Sequence, residues 1–166
     1  GNANAHTGLA GIKIIDTYDK YLSKILNCKK NEILVSSTGV IGELFDPKLI
    51  INQIKKINTK KLGNILDASK SIMTTDTYPK IAIKNIRLQN KLFKIYGIAK
   101  GSGMINPNMG TMLAYIFIEP KVSLKFLNKI LKENIDNTFN SISADSDTST
   151  SDTLALFSLN KHNINL

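Results

Sequence analysis

The stretch KIAIKNIRLQNKLFKIYGIAKGSG, Lys80 to Gly103, constrains the fold of this 166-residue chain more than any other. It reads as two β-strands joined by a turn near Gln89 and Asn90. TMLAYIFIE, Thr111 to Glu119, follows as a continuous apolar run, the pattern of a buried strand. Helical patterns lie on either side in sequence. Between Leu9 and Asn27, the residues Ile15, Tyr18, Leu22, Ile25 and Leu26 recur at helical spacing. DPKLIINQIKKI opens with Asp46 as an N-cap and Pro47 where the first turn tolerates it. LGNILDASKSIM continues as a second helical stretch, and SLKFLNKILKENID sets Leu124, Leu127, Ile130 and Leu131 on one side of a helix. EILVSS, Glu32 to Ser37, reads as a short β-type run, and LALFSL resumes an apolar element near the end. Strands and helices so interleaved predict an α/β domain of mixed sheet layers with helices.

The length and the 42% hydrophobic content suit one domain with a real core. No run of about 20 apolar residues is present, so no membrane span is expected. The opening GNANAHTGLAG has neither a charged n-region nor an apolar h-region, and a cytoplasmic location is the expectation. The lone Cys28 cannot form an internal disulfide, nor a zinc site with only His6 and His162, and it reads as structural. The net charge of +9 invites a nucleic-acid reading. The lysines are spread along the chain, with KKINTKK (Lys55 to Lys61) the one cluster, and no aromatic-rich basic motif accompanies them. A solvated surface is the expectation, with no nucleic-acid partner.

Four turns rich in glycine or threonine stand out: GNANAHTG (1–8), VSSTGVIGE (35–43), IMTTDTYPK (72–80) and AKGSGMINPNMGTML (99–113). Each offers backbone N–H groups and hydroxyls without bulky side chains, which suits an anionic or acyl ligand. The phosphate loop and the dinucleotide fingerprint both fail on spacing, and no Ser-His-Asp constellation is supported. Thr111 differs. A threonine becomes a strong nucleophile when it is N-terminal, because its own α-amine then serves as general base. That requires cleavage of the Gly110–Thr111 bond. Gly110 favours it, having no Cβ to block attack of the hydroxyl on its carbonyl carbon. An N-to-O acyl shift followed by hydrolysis would free the threonine. An ordinary strand threonine is the alternative.

These four motifs, with DSDTSTSDT (145–153), occur in an order that resembles the glutamate N-acetyltransferase/ornithine acetyltransferase family of arginine biosynthesis. The resemblance runs from Gly1 to about Thr153. It implies the fold of the self-cleaving ornithine acetyltransferase/aminopeptidase type, incomplete at both ends. Residues 1–110 would be the C-terminal part of an α chain and 111–166 the N-terminal part of a β chain, interleaved in one domain. Cleavage between Gly110 and Thr111 would make Thr111 the nucleophile of a ping-pong reaction. An acetyl-threonine would form from N2-acetyl-L-ornithine and pass its acetyl group to L-glutamate. Some members also use acetyl-CoA, and none needs a metal or a bound cofactor. Thr38 and Gly39 resemble the oxyanion hole. Lys100 resembles a substrate-binding lysine and Thr74 a substrate-contacting residue, with Thr75 second to it. An αβ pair forming a heterotetramer is the implied assembly.

The sequence departs from the family pattern at four points. His6 stands for the usual Cys, Ser146 for Gly, Ser151 for Asn and Gly110 for the commoner Ala. None removes the nucleophile or the oxyanion hole. A related self-cleaving amidohydrolase or aminopeptidase is the competing enzyme reading, although those generally carry Ser where Thr111 stands. An inactive truncated remnant is the non-enzymatic one.

Overall fold

The first turn motif closes on the second through a short parallel pairing of backbone. In a computed structural model that describes residues 1–61, 63–103, 112–144 and 149–163, Asn2 bridges Val40. The Ala3 amide donates to the Val40 carbonyl at 2.8 Å, the Val40 amide to the Gly1 carbonyl at 3.0 Å and the Gly42 amide to the Ala5 carbonyl at 2.9 Å. Gly39 sits within this pairing at φ +132°, and a Cβ there would lie 2.0 Å from the Gly1 carbonyl oxygen, so only glycine fits.

The chain divides into two compact units, Gly1–Gly63 and Asn64–Leu166. In the first, α1 (Gly8–Leu26) ends on Asn27, whose left-handed backbone (φ 51°) lets the Cys28 amide reach back to the Ser23 carbonyl at 3.0 Å. Helix α2 (Pro47–Ile54) starts as its sequence predicts: the Asp46 carboxylate accepts from the Lys48 amide at 2.9 Å, and Pro47 occupies the first turn. The two helices pack together, with Tyr18 stacked on Phe45 beside them. The expected β-type run at 32–37 is not a strand. Glu32 closes a 3-10 turn (Lys30–Glu32), 33–37 has no regular secondary structure with Leu34 largely exposed, and the bridge in this region falls at Val40, where Asn2 supplies the partner backbone.

The second unit is a four-stranded sheet in sequence order. After α3 (Ile65–Ser71) come β1 (Lys80–Leu88), β2 (Lys91–Lys100), β3 (Leu113–Lys121), α4 (Leu124–Asn134) and β4 (Thr153–Asn163). The β1–β2 turn is a two-residue loop with Gln89 at φ 49° and Asn90 at φ 60°, the doubly left-handed geometry that matches the twist of flanking strands. Strands β2 and β3 are antiparallel, and β3 and β4 are parallel, joined by the crossover that carries α4. Ser123 caps α4, its hydroxyl accepting from the Phe126 amide at 3.2 Å. Leu127 is buried and Ile130 and Leu131 line an apolar cavity of about 420 Å³ against Ile95, Ile116 and Leu156 of the sheet. Leu124 departs from the expected stripe. It is 72% exposed, whereas Phe126 of the same turn lines the cavity instead.

The register collects one end of every strand. Lys80 at the start of β1 pairs with Ala99; Lys100 at the end of β2 pairs with Leu113 at the start of β3; Leu113 pairs in turn with Thr153 at the start of β4. The segments flanking these residues carry the third, fourth and fifth sequence motifs.

Gly39→Ala should cost at least about 2 kcal/mol, from the clash with Gly1 together with the positive φ. Gly97→Ala, where the nearest atom to a new Cβ is 3.9 Å away, should shift stability by less than about 1 kcal/mol. Urea unfolding of the two variants beside the parent checks both.

Candidate active site

At the gathered end of the sheet, Lys100 is 1% exposed, an unusual place for an ammonium group. Strand alternation turns it inward: Ile98, two residues earlier on the same face, is buried too. Its Nζ donates to Thr74 Oγ1 at 3.2 Å. Burial pushes its pKa below the ordinary lysine value, opposed by the charges of Asp76 and Asp152 and assisted by that of Lys80. The pair expected to contact substrate, Thr74 and Lys100, is thus brought together from a loop and a strand 26 residues apart in sequence.

A carboxylate organises the loop. The Asp76 side chain is fully buried. Its Oδ1 accepts from Lys80 Nζ at 2.5 Å and from the Gly101 amide at 2.7 Å, and its Oδ2 accepts from the Thr74 amide at 3.3 Å. Burial alone would raise its pKa. The hydrogen bonds from Lys80, Gly101 and Thr74, with the Lys80 charge, outweigh that and hold it below the usual carboxylate value. Thr75 faces another way, its hydroxyl bonded to that of Ser102 at 2.7 Å.

A second carboxylate holds the start of β3. Asp152 Oδ1 accepts from the Met112 amide at 2.6 Å, while the Met112 carbonyl accepts from the Thr153 amide at 2.9 Å. Both backbone groups of Met112 are thereby tied to the start of β4, and Met112 is 5% exposed. Asp152 Oδ2 is buried without a hydrogen-bond partner among the described residues. Burial raises the Asp152 pKa, against the lowering pull of the Met112 amide and of Lys100.

Of the residues singled out in the sequence, Gly110 and Thr111 lie outside those the structure describes, as does Ser146. In the first unit Thr38 is buried at 6% exposure and Gly39 occupies its glycine-only position. Asn4 stands against the same motif, its amide donating to Ser37 Oγ at 3.0 Å, and its side chain accepts from Thr7 Oγ1 at 2.7 Å. Sequence reasoning missed Asp76, Lys80 and Asp152. The carboxylates stood inside quoted motifs, TTDT and TSDT, and an acidic residue amid small hydroxyl residues was the available signal.

The buried Lys100 charge implies a trade between stability and binding. Lys100→Met should raise stability by about 1 kcal/mol near neutral pH, since a side chain of similar length then occupies the site without a charge. A lowered folded-state pKa means that the folded chain binds fewer protons than the unfolded one as pH climbs towards the ordinary lysine value of 10.5. The parent therefore gains stability over that alkaline window, and the advantage of the Met variant should shrink there. Thermal unfolding of both proteins from pH 7 to 10.5 checks the sign.

The geometry can be set beside known proteins. A sequence profile of the ArgJ family matches residues 1–165. Two similar relatives are the arginine biosynthesis bifunctional protein ArgJ of Bartonella henselae, 46% identical over 162 residues, and the mitochondrial protein of that name from Dictyostelium discoideum, 45% identical over 158. These alignments cover 97% and 95% of this chain but 40% and 36% of the relatives, so the chain spans about two fifths of their length. The crystal structure of arginine biosynthesis bifunctional protein ArgJ from Bacillus halodurans superposes with a TM-score of 0.59 at 31% identity, over 68% of this chain and 58% of that one. Its similarity accords with the mixed α/β architecture expected from the sequence. With its profile match spanning nearly every residue, the chain belongs to the ArgJ family.

Proposed function

We propose that this chain carries the threonine-nucleophile half-reactions of an acetyltransferase that moves acetyl from N2-acetyl-L-ornithine to L-glutamate. Cleavage at Gly110–Thr111 frees the Thr111 α-amine. The amine takes the Oγ proton as Oγ attacks the acetyl carbonyl carbon. The tetrahedral oxyanion is met by the Thr38 hydroxyl and the Gly39 N–H, donors of a kind whose individual loss costs about 10²–10³ in rate. The C–N bond breaks, the proton passes to the departing amine of ornithine, and acetyl-Thr111 remains. The glutamate amine then attacks the ester, and Oγ regains its proton. Thr74 and Lys100 bind the substrate, Lys100 as a cation that would also keep a nearby N-terminal amine unprotonated. No metal or bound cofactor takes part, and acetyl-CoA is a candidate second donor. The working unit is an αβ pair, assembled as a heterotetramer, in the cytoplasm.

The observation that carries this reading is the buried Lys100 donating to the hydroxyl of the exposed Thr74 at the end of the sheet where β3 begins, in a chain of the ArgJ family. Thr111 is bonded to Met112, whose amide and carbonyl are both fixed by residues of the β4 entry. A nucleophile needs such a rigid neighbour, because small misplacement is costly in rate.

Expressed with whatever flanking coding sequence its gene carries, the parent should give two chains by intact mass, one beginning at Thr111. Thr111→Ala should give one chain and lose at least about 10³-fold in acetyl transfer from N2-acetylornithine to glutamate. An uncut parent would overturn the reading. Release of free acetate with no N-acetylglutamate would replace it with a self-cleaving amidohydrolase.

A further inference from the structure

We propose that Asp76 is the positioning residue of this site, a single buried carboxylate that sets the spacing of Thr74 and Lys100 by holding the backbone of both their segments. The inference rests on the acetyl-transfer reading and adds to it a residue outside the expected set. Thr74 lies on the loop that links α3 to β1, while Lys100 ends β2. Asp76 supplies a tie between these segments. Its Oδ2 takes the Thr74 amide at 3.3 Å, and its Oδ1 takes the amide of Gly101, the residue after Lys100, at 2.7 Å. Lys80 Nζ, at 2.5 Å from Oδ1, anchors the same carboxylate to the start of β1. With the loop so held, the Thr74 hydroxyl stands 3.2 Å from Lys100 Nζ. Gly101 at φ +142° lets the chain leave the strand while presenting its amide to the carboxylate.

An asparagine cannot reproduce this. It offers one acceptor oxygen, and its amide nitrogen would face an N–H donor on the other side. Asp76 also acts through space. Among the described residues, the charged groups that bear on Lys100 are Asp76 and Asp152, which favour its ammonium form, and Lys80, which disfavours it. Removing the Asp76 charge leaves Lys80 opposing a buried cation, so Lys100 should release its proton at lower pH. Removing Lys80 should do the reverse.

The test uses the parent, Asp76→Asn, Asp76→Glu and Lys80→Gln, each expressed with its flanking coding sequence and labelled with ¹³C-lysine, the Lys100 signal being assigned by its loss in Lys100→Met. The expected result is a Lys100 titration midpoint lowered by about one pH unit in Asp76→Asn and raised in Lys80→Gln. Acetyl-transfer kinetics on the same proteins should show KM for N2-acetylornithine up by about tenfold in Asp76→Asn. The alkaline limb of kcat/KM should move to lower pH with the Lys100 midpoint, and Asp76→Glu should recover part of KM. A Lys100 midpoint unmoved in Asp76→Asn, or activity lost equally at every pH with the limb in place, overturns the proposal. If Asp76→Asn does not fold, Lys80→Gln decides, and an unshifted midpoint there also overturns it. A parent without acetyl transfer overturns the reaction reading instead, and the Lys100 titration then stands as the separate test of Asp76.

Discussion

The backbone ladder across β2, β3 and β4 is the constraint on which the rest of the second unit depends. Leu113 pairs with Lys100 on one side and with Thr153 on the other. The first pairing is antiparallel and the second parallel, so the end of β2 and the beginnings of β3 and β4 share one edge of the sheet. Thr74 joins them through its contact with Lys100. A slip of one residue in β2 would turn the Lys100 side chain to the opposite face and dissolve the cluster.

Within this frame the site is held by charge as much as by packing. Two lysines and two carboxylates come together here, and all four are buried at least in part. Desolvation presses each buried group towards its neutral form. Asp76 resists because three N–H donors serve its two oxygens. Asp152 resists less, having one amide on Oδ1 and nothing described on Oδ2. Lys100 is held by a hydroxyl rather than a direct carboxylate contact, and its pKa falls. Such an arrangement is costly for folding, and it is the kind of departure from a hydrophobic core that marks a working site.

Local structure was legible wherever one local rule governed it. The Asp46–Pro47 start of α2, the helix of α1 and the Gln89–Asn90 turn each follow from a few adjacent residues. The reading failed at 32–37, where the pairing with Asn2 falls at Val40 beyond the β-type run, and at Leu124, which stays exposed although helical periodicity sets it beside the buried Leu127. Both errors concern neighbours distant in sequence, which propensity does not encode. The site divided in the same way. Thr74 and Lys100 were named from motif resemblance, whereas Asp76 passed as part of a turn because the donor that ties it to Lys100, the Gly101 amide, lies 25 residues away.

The sequence by itself determined the α/β class, most helix starts, the hairpin, the motif order that marks the ArgJ family, and the glycine at position 39 as part of a motif. These are local or ordered-pattern properties, carried by side-chain type and spacing. Only the tertiary structure decided that Gly39 is compulsory, since the carbonyl of Gly1 stands where a Cβ would go. It alone decided that Lys100 is buried against Thr74, and that Asp76 and Asp152 secure the loop and the strand beside it. Burial and hydrogen bonding between segments arise from strand register and chain crossover, and neither is written in any one stretch of residues.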